Sequence, residues 1–331
     1  MSYLTLALLA AAAALTCALA VPLVRRLAIT RGAVDVPDPR RELARPTPRL
    51  GGVAVFLAAV IVLAIAGATG LVSLASAPPR MLAFASAALL IVGLGAYDDF
   101  RPLRPPVKLV VELCAATIVV AGGDCRINAL SMPGGALELG TFAVPFTVVW
   151  IVLVTNALNL IDGIDGLAAG TAAIALVAVT IIARGFGFPT VSASAAILAG
   201  ACLGFLVFNF HPASIFLGDS GSLLLGFALG VLSTHARAKG TAGAVTLATL
   251  LIVALPLGDT LFAIERRYFH GLRPRSPRSY LAGLARIFQP DRRHLHHRLL
   301  RLGLGHRGAA YALYGIQAIA CAYAVYLLIG R

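Results

Sequence analysis

Residues 143–184 read AVPFTVVWIVLVTNALNLIDGIDGLAAGTAAIALVAVTIIAR, two apolar runs joined by a short polar turn. The runs at 143–161 and 167–184 approach the ~20 apolar residues that a helix needs to cross a bilayer. Eight more such runs occur, at 3–24, 51–74, 81–97, 107–122, 190–210, 221–236, 241–264 and 308–330. The sequence therefore predicts an all-α polytopic membrane protein, a bundle of about 10–11 transmembrane helices.

The composition of the whole chain supports this fold class. Of the 331 residues, 59% are hydrophobic and 12% are charged, and the mean hydropathy is +0.90. Soluble domains contain roughly 45–50% apolar and about 25% charged residues. A soluble fold, a disordered chain and a disulfide scaffold are therefore disfavoured. Residues 1–331 are predicted to form a single integral-membrane domain.

Basic residues set the predicted orientation in the membrane. With the N-terminus outside, the segments assigned to the cytoplasm hold 21 of the 27 Lys and Arg residues. Eleven of them lie in 265–307, a basic, histidine-containing cytoplasmic loop. This excess is the positive-inside signal of a membrane protein, so the net charge of +13 requires no nucleic-acid partner. On the other side, residues 123–142 are predicted to form a short periplasmic hairpin.

Carboxylates collect at the ends of apolar runs that this orientation places on the cytoplasmic side. They are Asp98, Asp99, Asp162, Asp165, Asp219 and Asp259. A carboxylate near the centre of a transmembrane helix costs about 2.5–3.5 kcal/mol, so such residues usually have a functional role. Carboxylates facing a basic loop predict a divalent metal ion and a phosphorylated, water-soluble substrate.

Each carboxylate cluster also has a purely structural interpretation. Asn156, Asn159 and Asp162 fall near one helical face, where they could form a hydrogen-bond ladder between helices. Asp98-Asp99 could be a solvated helix end, and Asp219 could cap the helix that begins beside it.

The basic loop contains a histidine cluster, His294-Leu-His-His297. Its spacing is similar to that of zinc ligands, but structural zinc takes four ligands and no cysteine lies near. Imidazole and guanidinium donors side by side suit a diphosphate or sugar hydroxyls better, and the alternative is a solvated basic face. Phe216 could stack on a base or belong to the core.

Taken in order, these motifs resemble those of the polyprenyl-phosphate N-acetylhexosamine-1-phosphate transferases, in glycosyltransferase family 4. The matching segments are Asp35–Asp38, Arg45–Gly52, Asp98-Asp99, Asn156–Asp165, Asn209–Ser222 and His294–His297. These multispanning bacterial enzymes transfer a sugar-1-phosphate from a UDP-sugar to a lipid phosphate. The His-Leu-His-His form resembles the branch that initiates O-antigen, enterobacterial common antigen and teichoic acid linkage units. It differs from the phospho-MurNAc-pentapeptide branch.

The resemblance implies transfer of GlcNAc-1-phosphate from a UDP-sugar to undecaprenyl phosphate, with Mg²⁺, or Mn²⁺ in its place, held by Asp219 and Asp162. The implied catalytic residues are Asp98, Asp99, Asp162, His296 and His297. The implied substrate contacts are Arg49, Lys108, Asn156, Asn159, Gly163, Asp165, Asn209, Phe216, Arg293 and His294. A base role for Asp98 or Asp99 stays open, because a phosphate monoester is already mostly ionised at pH 7.

Two other functions fit parts of the pattern. The same reaction could use UDP-MurNAc-pentapeptide or another UDP-N-acetylhexosamine. A cation-coupled transporter would instead place its acids near the midplane and often show paired repeats, and no repeat is visible. The expected location is the bacterial inner membrane with the active site facing the cytoplasm, and the sequence leaves a homodimer open. Pro256 is expected to bend the ninth run.

Overall fold

The computed structural model describes residues 1–35, 46–72, 78–122, 125–132, 135–234, 249–269 and 295–330. Its helices in this part of the chain are α1 (Tyr3–Arg31), α2 (Gly51–Ala68), α3 (Pro78–Phe100), α4 (Pro105–Gly122), α5 (Ala143–Ile161), α6 (Leu167–Gly185), α7 (Pro189–Asn209), α8 (Gly218–Thr234), α9 (Ala254–Phe269), α10 (Leu295–Arg301) and α11 (His306–Ile329). Among the described helices, eight are long and apolar enough to cross a membrane, namely α1 to α7 and α11. The predicted all-α polytopic fold is therefore confirmed.

Helix α8 is the centre of the bundle. It has 17 residues, and every one from Ser220 to Thr234 is buried. It packs against α2, α3, α5 and α6. A helix that is apolar all round and surrounded by other helices needs no polar face.

The predicted helix ends differ from the observed ends where charge follows an apolar run. The first run was expected to end at residue 24, but α1 continues to Arg31 and ends where Gly32 adopts φ 79°. Arginine is a good helix former, so the loss of hydrophobicity at Arg25 marks the membrane boundary and not the helix end. The ninth run, 241–264, is described only from residue 249 onward.

Small residues let neighbouring helices approach closely. Gly200 and Gly204 of α7 face α1, where added Cβ atoms would lie 2.0 Å from the Ala10 oxygen and 2.1 Å from the Ala14 oxygen. This is the small-xxx-small packing that membrane helices use, because lipid provides no hydrophobic drive for their association. A second pair on α8 faces α5 in the same way: Gly226 and Gly230.

Pro256 was expected to bend the ninth run, and the helix is interrupted three residues before it. Residues 249–252 are helical, Val253 forms a turn, and α9 follows. Proline has no N–H to donate to the carbonyl four residues earlier, that of Ile252. Gln317 of α11 replaces the missing donor, because its Nε2 lies 2.6 Å from the Ile252 oxygen while its Oε1 accepts from the Leu255 N–H at 3.2 Å.

The described part of the chain also contains two short antiparallel strand pairs. β3 (Ala129–Met132) pairs with β4 (Gly135–Glu138), which confirms the hairpin predicted within 123–142. β1 (Val34–Asp35) pairs with β2 (Thr47–Pro48), a ladder that the sequence did not predict. This second pair leads the chain into α2 beside the acidic cluster.

Candidate active site

Alternating helix directions bring the predicted acidic motifs to one end of the bundle. Helices α3, α5 and α7 end there, and α4, α6 and α8 begin there. This end carries Asp98, Asp99, Asp162, Asp165 and Asp219. The predicted clustering at one face of the membrane therefore agrees with the fold.

Lys108 lies between two of these carboxylates. Its Nζ is 2.9 Å from Asp98 Oδ2 and 2.5 Å from Asp219 Oδ2. The three side chains come from α3, α4 and α8, and Asp98 also accepts a hydrogen bond of 2.7 Å from the Leu103 N–H. One ammonium group thus holds three helices and occupies a position that is surrounded by carboxylate oxygen.

Asp99 has a different role from its neighbour Asp98. Its carboxylate accepts the backbone N–H groups of Asp219 at 2.9 Å and Ser220 at 3.2 Å, so Asp99 caps the N-terminus of α8 from another helix. Gly218 has φ +71°, and a Cβ there would lie 2.5 Å from the Asp99 carboxylate. The structural alternative for Asp219, that it caps its own helix, therefore does not describe the observed contacts.

The start of α2 is fastened to the start of α8. The N–H groups of Gly51 and Gly52 donate to the carbonyls of Phe216 and Leu217 at 3.0 and 2.9 Å, and the Phe216 N–H donates to Pro48 at 2.8 Å. Phe216 is thereby fixed on both sides of its backbone while its side chain is only half-buried. Two helix N-termini, with their positive dipole ends, meet at the acidic cluster.

Arg49 reaches this place from the β1–β2 pair. Its Nη2 lies 2.6 Å from Asp35 Oδ2, across the ladder that the sequence did not predict. The ion pair fixes a guanidinium group near Asp99 and Asp219, whose charges act on it.

The asparagines of α5 are held by partners from two other helices. Asn156 donates its amide N–H groups to the Glu112 carboxylate and to the Val152 carbonyl, the latter at 3.0 Å. Since both partners are acceptors, the Asn156 nitrogen must face them, and its Oδ1 faces away. Asn159 Oδ1 accepts from Ser222 Oγ at 2.8 Å. Asn156 and Asn159 thus make the inter-helix hydrogen bonds that the structural alternative described.

Asp165 and Asn209 organise the loop after α7. Asp165 Oδ2 lies 2.8 Å from His211 Nδ1 and accepts from the Ala213 N–H at 3.0 Å. Asn209 is 3% exposed; its side chain accepts from the Gly166 N–H at 3.1 Å and donates to the Ile215 carbonyl at 3.0 Å. The Asn209 amide nitrogen and oxygen therefore both bind backbone groups, which indicates that Asn209 positions the loop; its predicted substrate contact stays a prediction.

His296 packs directly on the turn after α5. It is 2% exposed, and a Cβ on Gly163 would lie 2.3 Å from its Nε2. The ring of His297 lies 4.2 Å from that of His296. Asp259 of α9 accepts the first N–H of α10, from Leu295, at 2.8 Å. The predicted contacts Arg293 and His294, and most of the loop 265–307, lie outside the described residues.

Asp162 ends α5 and faces several negative charges. Withdrawal from water, then the charges of Asp219 and Asp99, raise the pKa of the Asp162 carboxyl to about 8, and Arg49 opposes this shift. A cation that binds among these carboxylates competes with the proton and favours the ionised form.

The carboxylates at this end fit a hard cation. Among the described residues, no three His, Cys, Asp or Glu side chains form a ready-made metal cage. Mg²⁺ does not need one, because it is usually held by one or two carboxylates together with substrate phosphates and water. The Lys108 ammonium between Asp98 and Asp219 shows that this place accepts positive charge.

Sequence reasoning missed two side chains of the site, Glu112 and His211. Glu112 is the one acidic residue of the apolar run 107–122, so it carried the same signal as the aspartates. Asp259 was grouped with those aspartates but was given no role of its own. His211 was visible only as part of a motif, and its partner Asp165 is 46 residues earlier in the chain.

Fold and site define a class of protein: a polytopic membrane protein with a site of carboxylates, Lys108 and two helix N-termini at one end. Residues 81–237 match the family described as glycosyl transferase family 4. The chain belongs to this family.

Relatives extend the similarity beyond that segment. A probable undecaprenyl-phosphate N-acetylglucosaminyl 1-phosphate transferase of Bacillus subtilis is 38% identical over 92% of this chain and 80% of its own length. A decaprenyl-phosphate N-acetylglucosaminephosphotransferase of Mycolicibacterium smegmatis is 36% identical over 97% and 82%. A phospho-N-acetylmuramoyl-pentapeptide-transferase of Halalkalibacterium halodurans is 32% identical over 66% and 69%.

Proposed function

We propose that this protein transfers N-acetylglucosamine-1-phosphate from UDP-N-acetylglucosamine to undecaprenyl phosphate. An oxygen of the lipid phosphate forms a bond to the β-phosphorus of the UDP-sugar, and the bond from that phosphorus to the bridging oxygen breaks. The products are undecaprenyl-diphospho-N-acetylglucosamine and UMP. This is the first membrane step of a cell-surface polysaccharide.

One observation carries the proposal: the similarity to relatives named as undecaprenyl-phosphate and decaprenyl-phosphate N-acetylglucosamine phosphotransferases extends over 92% and 97% of the chain. The site supports the same chemistry. Two anionic phosphates have to meet, so the reaction needs fixed positive charge and fixed N–H donors more than it needs covalent catalysis. Lys108 and Arg49 supply both, and the N-termini of α2 and α8 add the positive ends of their helix dipoles.

The side chains of the site divide into two groups by their contacts. Lys108 and Arg49 attract the diphosphate, and Phe216 offers a half-buried ring to the uracil. Asp99 and Asn209 act through the backbone, because they hold α8 and the loop after α7 in place. His296 and His297 approach from α10 beside Gly163 and donate to the sugar or the diphosphate.

The cofactor belongs to the proposal as well. Asp219 and Asp162 would hold Mg²⁺, with Mn²⁺ as a substitute. The ion would supply positive charge to the diphosphate and to the leaving UMP. Lys108, which lies between Asp98 and Asp219, adds a fixed positive charge beside them.

A different donor sugar is the second candidate. The relative named for phospho-N-acetylmuramoyl-pentapeptide transfer matches a smaller share of this chain, 66%, at 32% identity. A transporter has less support, because the described acidic cluster lies at one end of the bundle and not at its midplane.

The donor and the reaction can be tested in one assay. Membranes containing the protein receive undecaprenyl phosphate, Mg²⁺ and labelled UDP-GlcNAc, UDP-GalNAc or UDP-MurNAc-pentapeptide in separate reactions. We expect label from UDP-GlcNAc to enter the lipid and UMP to appear in equal amount. If only UDP-MurNAc-pentapeptide labels the lipid, the second candidate donor is correct instead. Lipid labelling without release of UMP would reject the reaction.

Removal of divalent cations tests the metal. We expect EDTA to abolish label transfer, because the clustered carboxylates would repel the diphosphate. Added Mg²⁺ or Mn²⁺ should restore transfer, whereas excess Na⁺ of the same ionic strength should not. Full turnover in metal-free buffer contradicts the assignment.

The membrane location is also proposed. The count of Lys and Arg residues supports a site on the cytoplasmic side, where UDP-sugars are available. The bacterial relatives support an inner-membrane location.

A further inference from the structure

A cavity lies on the outer wall of the bundle, between the end of α1 and the loop after α7. Its volume is about 290 Å³, and it is lined by Pro22, Arg25, Arg26, Phe208 and Ser214. None of its five lining residues belongs to the carboxylate cluster described above.

Helix geometry places this cavity at a membrane boundary. From Tyr3 to Arg25, α1 rises ~33 Å at 1.5 Å per residue, and the hydrocarbon core of a bilayer is ~30 Å thick. Arg25 and Arg26 are the first basic residues of α1, and both are exposed. They therefore lie at the depth of the lipid headgroups.

One of the two arginines is held in a fixed orientation. Arg25 Nε donates to the Ser214 carbonyl at 3.0 Å, and Ser214 is itself bonded to the Phe208 carbonyl through its N–H at 2.8 Å. The contact uses one of the five guanidinium N–H groups, so the terminal nitrogens are left for another acceptor. Phosphate oxygen is the acceptor that this fork matches best.

The face of α1 on the N-terminal side of the cavity is apolar and exposed. Leu8 and Leu15 precede Pro22 at intervals of seven residues, or about two helical turns, so all three lie on one face. Their exposed fractions are 61% for Leu8 and 63% for Leu15. A ligand whose phosphate sits at Arg25 and Arg26 can therefore lay an acyl chain along this face.

We propose that Arg25, Arg26 and the cavity beside them bind the headgroup of an anionic membrane phospholipid, such as phosphatidylglycerol. The phosphodiester pairs with the guanidinium groups, and the acyl chains follow the leucine face of α1 into the bilayer. A free phosphate ion would leave that apolar face without a partner. The bound lipid contacts Ser214, which lies in the same loop as Phe216, so it joins the lipid boundary to the candidate active site.

The test uses the full-length protein, purified in detergent and freed of lipid. Dioleoyl phosphatidylglycerol or dioleoyl phosphatidylcholine is added, and bound lipid is counted by native mass spectrometry while the midpoint of thermal unfolding is recorded. The test variant is Arg25→Gln/Arg26→Gln. The matched control is Arg101→Gln/Arg104→Gln, which removes two exposed arginines at the same end of the bundle.

We expect wild type and control to retain phosphatidylglycerol in preference to phosphatidylcholine. The test variant should bind phosphatidylglycerol about tenfold more weakly or worse, since each arginine near the surface contributes to anionic lipid binding. Arg25→Lys/Arg26→Lys should recover part of the binding, which separates lost charge from misfolding. Equal binding by test variant and wild type would overturn the proposal, as would equal loss in the control.

Two further arms identify the source of the phosphate. Inorganic phosphate alone should shift neither readout, and a shift equal to that of phosphatidylglycerol overturns the lipid assignment. The other further arm uses undecaprenyl phosphate. If it binds with the same dependence on Arg25 and Arg26 while phosphatidylglycerol does not, the cavity belongs to the acceptor substrate, and the phospholipid proposal is rejected.

Discussion

At the scale of single residues, substitution of Asp219 can distinguish a metal-binding role from a helix-capping role. Its carboxylate faces Lys108, and the cap of α8 is provided by Asp99. We expect Asp219→Asn to reduce kcat by at least about 10²-fold, because one preorganised electrostatic group is lost. The assay is the lipid-labelling reaction at matched expression.

The matched control for Asp219 is Glu138→Gln on the hairpin strand β4, where the side chain is exposed. It removes one negative charge far from the site and should leave kcat unchanged, since a solvated charge is screened. Nearly normal turnover of Asp219→Asn would reject the metal assignment and leave Asp219 with only a structural role.

Glu112 is predicted to act through Asn156. It is 2% exposed inside α4, and its carboxylate turns the Asn156 amide so that Oδ1 faces away. Glu112→Leu leaves that amide without its acceptor, so we expect a loss of about tenfold or more in kcat/KM, equivalent to 1–3 kcal/mol for an unpaired group. Glu112→Gln keeps an acceptor oxygen and should recover most of the activity. If Glu112→Gln is as poor as Glu112→Leu, the negative charge is what matters.

The sequence predicted which residue types gather at the site but not which of them touch. Lys108 and Asp219 are 111 positions apart, and Asp99 and Asp219 are 120 apart. Alternating helix direction brings these residues to one end of the bundle, and the helix topology alone is enough to predict that shared end. Whether a carboxylate meets an ammonium or a helix N-terminus depends on helix rotation and packing at the scale of ångströms. Local spacing in the chain does not contain that information.

At the scale of elements, glycines decide how closely α1 and α7 approach. A Cβ on Gly204 would lie 2.1 Å from the Ala14 oxygen, whereas a Cβ on Gly315 of α11 meets nothing within 4 Å. We expect Gly204→Val to lower the midpoint of thermal unfolding in detergent by several degrees, because inserted methyl groups typically cost about 1–3 kcal/mol. Gly315→Val is the matched control and should change it little. Equal shifts would mean that this helix contact adds no stability.

Apolar runs predicted helix positions well and helix ends poorly. Hydrophobicity reports where the chain enters lipid, while the helix ends where backbone geometry changes, as at Gly32 after α1. The interruption before α9 was predictable, since Pro256 lacks the N–H that the Ile252 carbonyl needs. Its partner was not, because Gln317 lies 65 residues further on and looks like an ordinary polar residue in an apolar run.

At the scale of the whole molecule, sidedness joins the charge pattern to the chemistry. Among the described residues, Arg25 and Arg26 near the end of α1 and Arg101 after α3 lie at the same end of the helices as the acidic cluster. The basic residues and the aspartates are independent signals, and both point to one end. The proposed UDP-sugar donor can reach the site only if that end faces the cytoplasm.

The orientation predicts opposite labelling of two exposed positions. In a Cys114→Ser background, which removes the exposed native cysteine, Glu138→Cys should react with a membrane-impermeant maleimide in cells whose outer permeability barrier has been opened. Arg301→Cys, on α10, should react only after the inner membrane is also permeabilised. The two variants control for each other, because each is exposed and lies at an opposite end of the bundle. Reaction of Arg301→Cys from outside, with Glu138→Cys protected, would invert the topology. The active site would then face away from the cytoplasmic UDP-sugar pool, so the proposed donor would fail with it.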